Sequence, residues 1–203
     1  MFSAKEITSL HDRFTRLWHE SPEMAAKEVP ADAPWTGLVA QQHRANFDLW
    51  HIEDEARAPG ATDAALAEIK RRIDTRNQQR NDLVEHLDRT LLAWLEERGL
   101  PNPTAPLHSE TPGLIVDRLS ILSLKIFHTH QETERTDAPA GHRERNRDRL
   151  AQLEEQRADL AGCLDALWQQ VIEGSRRFKL YRQLKMYNDP SLNPAIYREK
   201  PPV

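Results

Sequence analysis

The chain has 203 residues, 38% of them apolar and 30% charged, which is enough for one domain with its own core and suits long amphipathic helices better than a β-sandwich. Seven glycines leave little turn chemistry for many hairpins and no Gly-rich phosphate loop, and a net charge of −4 gives no general reason to expect nucleic-acid binding. The single Cys163 excludes an intramolecular disulfide and any paired-cysteine metal site.

The opening stretch MFSAKEITSLHDRF has charges where a signal peptide needs an apolar core, and no run approaches the ~18 apolar residues of a membrane span. The expected location is therefore the cytosol. Ile7, Leu10, Phe14, Leu17 and Trp18 predict a first helix over residues 4–20. SPEMAAKEVPADAPWTG breaks that pattern, and a second helix is predicted over 37–57, ended by RAPGATD. A third, capped by Asp63, runs to Arg98 and at ~1.5 Å per residue would exceed ~50 Å. A fourth begins at TPG, with Thr111 as N-cap and Pro112 at the first helical position, and runs to about 135. A fifth runs from about 142 to 173 and can continue past Gly174. No strand and no internal repeat is evident. The predicted fold is all-α: an elongated antiparallel bundle of about five helices over residues 1–190, with an extended Pro-rich tail over 191–203.

Helical spacing also shows which polar residues fall on buried faces. In the second helix Leu38, Ala45, Leu49, Ile52 and Ala56 define the inner stripe; Gln42 and Glu53 fall inside it and Asn46 beside it. In the third, Asn77 and Arg80 interrupt a stripe running from Leu66 and Ile69 to Leu95, with Asn81 and Asp88 on its edge. In the fifth, Arg157 sits among Leu150, Leu153, Leu160, Leu164, Trp168 and Val171. The fourth, LIVDRLSILSLKIF, is apolar nearly all round, and its exceptions Asp117, Arg118, Lys125 and His128 are expected on one narrow arc. In the stretch FDLWHIEDEA, residues 47–56, Glu53 is expected to point with the core, and His51 and Asp54 toward a shoulder near Trp50. A buried Glu beside buried Arg80 and Arg157 would be a paired network, since unpaired each charge costs several kcal/mol. Two readings stay open: a polar layer that fixes register, or a pocket built from all these helices.

The metal spacings known for helical bundles are not met. None of the nine histidines has a Glu three residues before it, and HExxH is absent. Glu85 and Asp88 match one half of the carboxylate pattern of all-helical nucleotide pyrophosphohydrolases, but the other half is missing. Asp48, His51 and Asp54 have a three-residue spacing that solvated helix faces also show. No metal set and no cofactor is identified. Cys163 reads as a small core residue.

In the tail, Arg176, Arg177, Lys179, Arg182 and Lys185 come without an acid until Asp189, interleaved with Phe178, Tyr181 and Tyr187. Such a segment can hold phosphate groups and stack a base or sugar. Equally, it can complement a helix dipole and pack its aromatics on the bundle.

The segments NFDLWHIEDEARAP, IDTRNQQRNDLVEHLD, ETPGLIVDRLSILSLKIFH and FKLYRQLKMYNDPSLNP together resemble a bacterial domain-of-unknown-function family, number four-two-five-four, over roughly residues 8–197. Genes of that family often lie beside lipopolysaccharide glycosyltransferases, which implies a link to envelope glycan assembly and supplies no catalytic residues. The leading expectation is a pocket for a sugar phosphate or nucleotide sugar. Arg80, Arg157, Lys125 and the basic residues of 176–185 (Arg176, Arg177, Lys179, Arg182 and Lys185) would engage phosphate, Glu53, with Asp54 or Asp117, would act as base or bind hydroxyls, and Gln42, Asn46, Trp50, His51, Asn77, Asn81, Arg118 and Tyr181 would complete the ligand site. The alternatives are an adaptor of a glycosyltransferase, docking through its tail, and a magnesium-dependent hydrolase. Nucleic acid is not an expected partner; a homodimer is compatible with an elongated bundle, though no patch argues for one.

Overall fold

The computed structural model describes residues 3–21, 23, 34–182, 191, 192 and 194. They form α1 (Ala4–Glu20), α2 (Pro34–Ala56), α3 (Asp63–Glu96), α4 (Pro112–Glu134) and α5 (His142–Ile172), with no strand among the described residues.

Several termini have a local cause. Ser3 and Glu6 form a reciprocal capping box at α1. Thr62, not Asp63, caps α3: its hydroxyl accepts from the Ala65 N–H, and Asp63 lies in the first turn, where its charge favours the helix dipole. Thr111 caps α4 ahead of Pro112, as the sequence predicts. Gly174, at φ +73°, takes the left-handed position after α5, so the helix stops at Ile172 rather than continuing.

Cross-helix contacts fix the directions. Thr15 meets His43 and His19 meets His51, while His43 meets Ser120 and Trp50 meets His128, so α1, α2 and α4 run one way. Asp48 pairs with Arg76 and Glu55 with Arg72, while the Ala4 N–H donates to Asp165 and Arg157 pairs with Asp12, so α3 and α5 run the other. α1 and α2, neighbours in sequence, are thus parallel.

The main core gathers Leu87, Leu91 and Leu95 of α3, Ile115, Val116 and Leu119 of α4, and Leu164, Leu167, Trp168 and Val171 of α5. A second cluster holds Phe14, Trp18, Ala40, Phe47 and Leu124. The predicted stripes run past the core they serve. Leu66 is exposed, and Ile73, Leu150 and Leu153 are only half-buried, although Ile69 and Leu160 on the same stripes are buried.

After α5 the chain returns against the loop before α4. The Arg177 N–H donates to the Pro106 carbonyl and the His108 N–H to the Arg177 carbonyl, a single parallel bridge that seats Phe178 in the core at 1% exposure. Of the aromatic residues in that segment, Phe178 thus packs on the bundle, while Tyr181 stays exposed. Lys185 and Tyr187 lie outside the described residues, as does most of the predicted tail.

Candidate functional site

Part of the predicted polar set converges where α2, α3 and α4 meet. Asp117 of α4 is 8% exposed. Its Oδ1 accepts from Gln42 Nε2 at 2.6 Å and Asn46 Nδ2 at 2.9 Å, and Arg80 Nε of α3 lies 3.7 Å away. Burial pushes the Asp117 carboxyl above its ordinary value, while Arg80 and Asn46 pull the other way. Behind this, Asn46 Nδ2 also donates to Ser120 Oγ, which bonds His43 Nδ1 at 2.7 Å; His43 Nε2 meets Thr15 Oγ1 at 2.9 Å. His43 is fully buried between stacked His11 and Trp18, and burial holds it near 3, so its ring is neutral.

In front, Arg80 and Asp117 line a cleft of about 210 Å³ between α3 and α4, together with Asn81, Glu85, Asp88, Thr111 and Tyr181. Asp88 accepts from the Thr111 hydroxyl and, at 2.7 Å, from the Gly113 N–H, so it clamps the start of α4 onto α3. Burial raises its carboxyl to about 6 despite those donors. The cleft therefore has an acid-rich floor, one guanidinium at its base and a phenol at its mouth. Hydroxyl groups suit such a floor.

The other predicted residues lie elsewhere. Glu53 does not point into the core: its side chain is 44% exposed and pairs with Arg57, and Asp54 is more exposed still. Spacing identifies a helix face but not what covers it: Ile52 is buried, whereas Glu53 beside it turns to solvent, as does Glu55 in its exposed pair with Arg72. Arg157 pairs at 2.7 Å with Asp12 of α1 and does not reach Asp117. The exceptions on α4 split instead of sharing an arc. Asp117 and Arg118 are neighbours, hence ~100° apart around the helix. Asp117 turns inward, whereas exposed Arg118 pairs with Glu110 and lines, with Lys125 and the exposed Cys163, a groove against α5. Cys163 is thus not a core residue. Asn77 is half-buried one turn before Arg80; Lys179 and Arg182 are exposed on either side of Tyr181. His51 and Trp50 belong to a separate cluster with His19 and His128. Glu85 and Asp88 do share the cleft, but among the described residues the one group of three metal-competent side chains is histidine, not carboxylate.

The residues missed in the sequence, His43 and Ser120, carry the network behind Asp117. Their signal was available: His43 adjoins Gln42 and lies three residues before Asn46, and Ser120 follows Asp117 by three.

Among the described residues no helix is long and apolar enough to cross a membrane. No curated protein and no solved structure shows significant similarity to the chain. Residues 36–180, which hold every residue of the Asp117 network but Thr15 and all of the cleft but Tyr181, match the family described as a protein of unknown function, DUF4254, and the chain belongs to that family.

Proposed function

We propose that the α3–α4 cleft binds a sugar phosphate, or the sugar-phosphate end of a nucleotide sugar. The observation that carries this reading is the meeting of Arg80 and Asp117 at the base of a cleft, with Asp117 fixed from behind by Gln42 and Asn46. Preorganised carboxylate and guanidinium groups select hydroxyls and phosphate without paying to order themselves on binding. At about 210 Å³ the cleft is smaller than drug-sized pockets, so it admits one sugar ring rather than a nucleotide. Glu85, Asp88 and Asp117 disfavour a deeply buried phosphate, so the ring sits inward, its hydroxyls on Asp117 and Arg80, and the phosphate lies outward toward Lys179 and Arg182. No reaction is assigned. A place in envelope glycan assembly, in the cytosol, belongs to this proposal and rests on the family resemblance.

The test is thermal stability against a panel of free sugars, sugar phosphates, nucleotide sugars and inorganic phosphate. A ligand at ~100 times its dissociation constant adds roughly 2.7 kcal/mol, several degrees for a chain of this size. The shift should appear with sugar phosphates and vanish in Arg80→Gln. A shift equal in wild type and Arg80→Gln would remove the assignment.

A further inference from the structure

His19 near the end of α1, His51 on α2 and His128 on α4 come together from three helices, and one ring nitrogen of each lies within 4.8 Å of the others. Their orientation is set locally. His19 Nδ1 lies 2.7 Å from the Thr15 carbonyl and His51 Nδ1 lies 2.8 Å from the Phe47 carbonyl. A carbonyl only accepts, so each Nδ1 carries the proton and each Nε2 keeps a bare lone pair. Histidine ligands of metals are fixed in this way, the far nitrogen donating to a carbonyl while the near one binds.

Two further facts separate this group from ordinary aromatic packing. His19 Nε2 and His128 Nε2 are buried with no hydrogen-bond partner among the described residues. A buried acceptor left unmet is costly and asks for a partner. A single cation meets the lone pairs of His19 and His51 together with a nitrogen of His128. The walls are apolar and stacked: Phe127 on His19 at 4.4 Å, Trp50 on His128 at 4.7 Å and 5°, Phe47 against His51 at 4.3 Å. They hold the rings in place, while the three histidines themselves are half-buried and reachable from solvent.

We propose that His19, His51 and His128 form a three-nitrogen site for a divalent transition metal of the Zn²⁺ class. Three imidazoles with no thiolate suit Zn²⁺, Co²⁺, Ni²⁺ or Cu²⁺ rather than Mg²⁺ or Ca²⁺. Ligand nitrogens ~2.0–2.1 Å from a tetrahedral ion lie roughly 3.3 Å apart, so small side-chain rotations close the group around it. Three protein ligands leave a fourth position for water or an exchangeable anion, the ligand count of reactive rather than purely structural zinc sites. The site stands three turns along α4 from Asp117, roughly 16 Å, and does not depend on what the cleft binds.

The experiment is titration of the full chain with Co²⁺ and then Zn²⁺, followed by visible absorption and calorimetry, on wild type, His51→Gln, His128→Gln and the exposed control His86→Gln. Expected are one Co²⁺ per wild-type chain, the intense absorption of a four-coordinate nitrogen site, displacement by Zn²⁺, at least tenfold weaker binding in the first two variants, and unchanged binding in the control. Absence of saturable binding in wild type, or equal affinity in all four chains, overturns the site. Should a variant lose helicity, imidazole ¹⁵N shifts of the wild-type chain decide. Zn²⁺ should move His19, His51 and His128 together, and movement confined to other histidines overturns the site.

Discussion

Arg80 of α3 reaches across to Asp117 of α4, Nε to Oδ1 3.7 Å, at 28% and 12% side-chain exposure. Asp117 is thereby the point where α2, α3 and α4 are tied, since Gln42 and Asn46 donate to the same oxygen. Removing one partner of such a pair strands the others. Asp117→Ala should cost about 3–5 kcal/mol in urea unfolding. Asp117→Asn, which keeps an acceptor for Gln42 and Asn46, should cost clearly less. Equal losses in the two variants would mean that the charge, not the acceptor, holds the three helices.

Two buried groups give stability slopes of opposite sign. Burial lifts Asp88 from 3.8 to about 6, so its folded pKa lies above its unfolded one. Its contribution is complete below pH ~3.8 and is lost as pH rises toward 6, a difference of roughly 3 kcal/mol. Burial lowers His43 from 6.5 to about 3. Its contribution is complete above pH ~6.5 and is lost as pH falls toward 3, roughly 5 kcal/mol. Urea unfolding from pH 4 to 7 should therefore show a shallower acid loss in His43→Gln than in wild type, and a steeper one in Asp88→Asn. Profiles parallel to wild type would contradict both assignments.

Gly113 marks a close approach of α4 to α3. A Cβ there would sit 2.8 Å from Asp88 Oδ1 and 2.8 Å from the Val84 carbonyl. Gly113→Ala should destabilise by about 1–3 kcal/mol through the forced shift. Gly162, mid-helix in α5 with open space around it, is the control: Gly162→Ala should stabilise by about 0.5–1 kcal/mol. Calorimetric melting of both variants checks the difference in sign.

Phe178 is 1% exposed, so the segment after α5 is part of the core. Phe178→Ala should cost about 3–5 kcal/mol in urea unfolding. A loss below 1 kcal/mol would mean that the segment is only loosely docked. The same burial bears on the adaptor reading, because truncation at residue 174 would remove a core residue as well as the basic tail.

Much of the fold was legible because helices announce themselves locally. Thr111–Pro112 and the stripe through Leu87, Leu91 and Leu95 are properties of short windows. Convergence is not a local property. Gln42, Asn46, Arg80, Asn81 and Asp117 stood out as polar residues near apolar stripes, and they do meet. Glu53 and Arg157 stood out in the same way and do not join them, because spacing does not say which helix lies opposite. The parallel course of α1 and α2 places His19 beside His51, a pairing that no spacing within one helix encodes.

The proposed binding site of the α3–α4 cleft is built on Arg80 and Asp117. Isothermal titration of sugar phosphates into wild type, Arg80→Gln and Arg157→Gln tests it most directly, because the two arginines have similar burial but serve different faces. Saturable heat is expected in wild type and Arg157→Gln, with at least a tenfold loss of affinity in Arg80→Gln. Equal affinity in all three chains, or loss in Arg157→Gln alone, would contradict it.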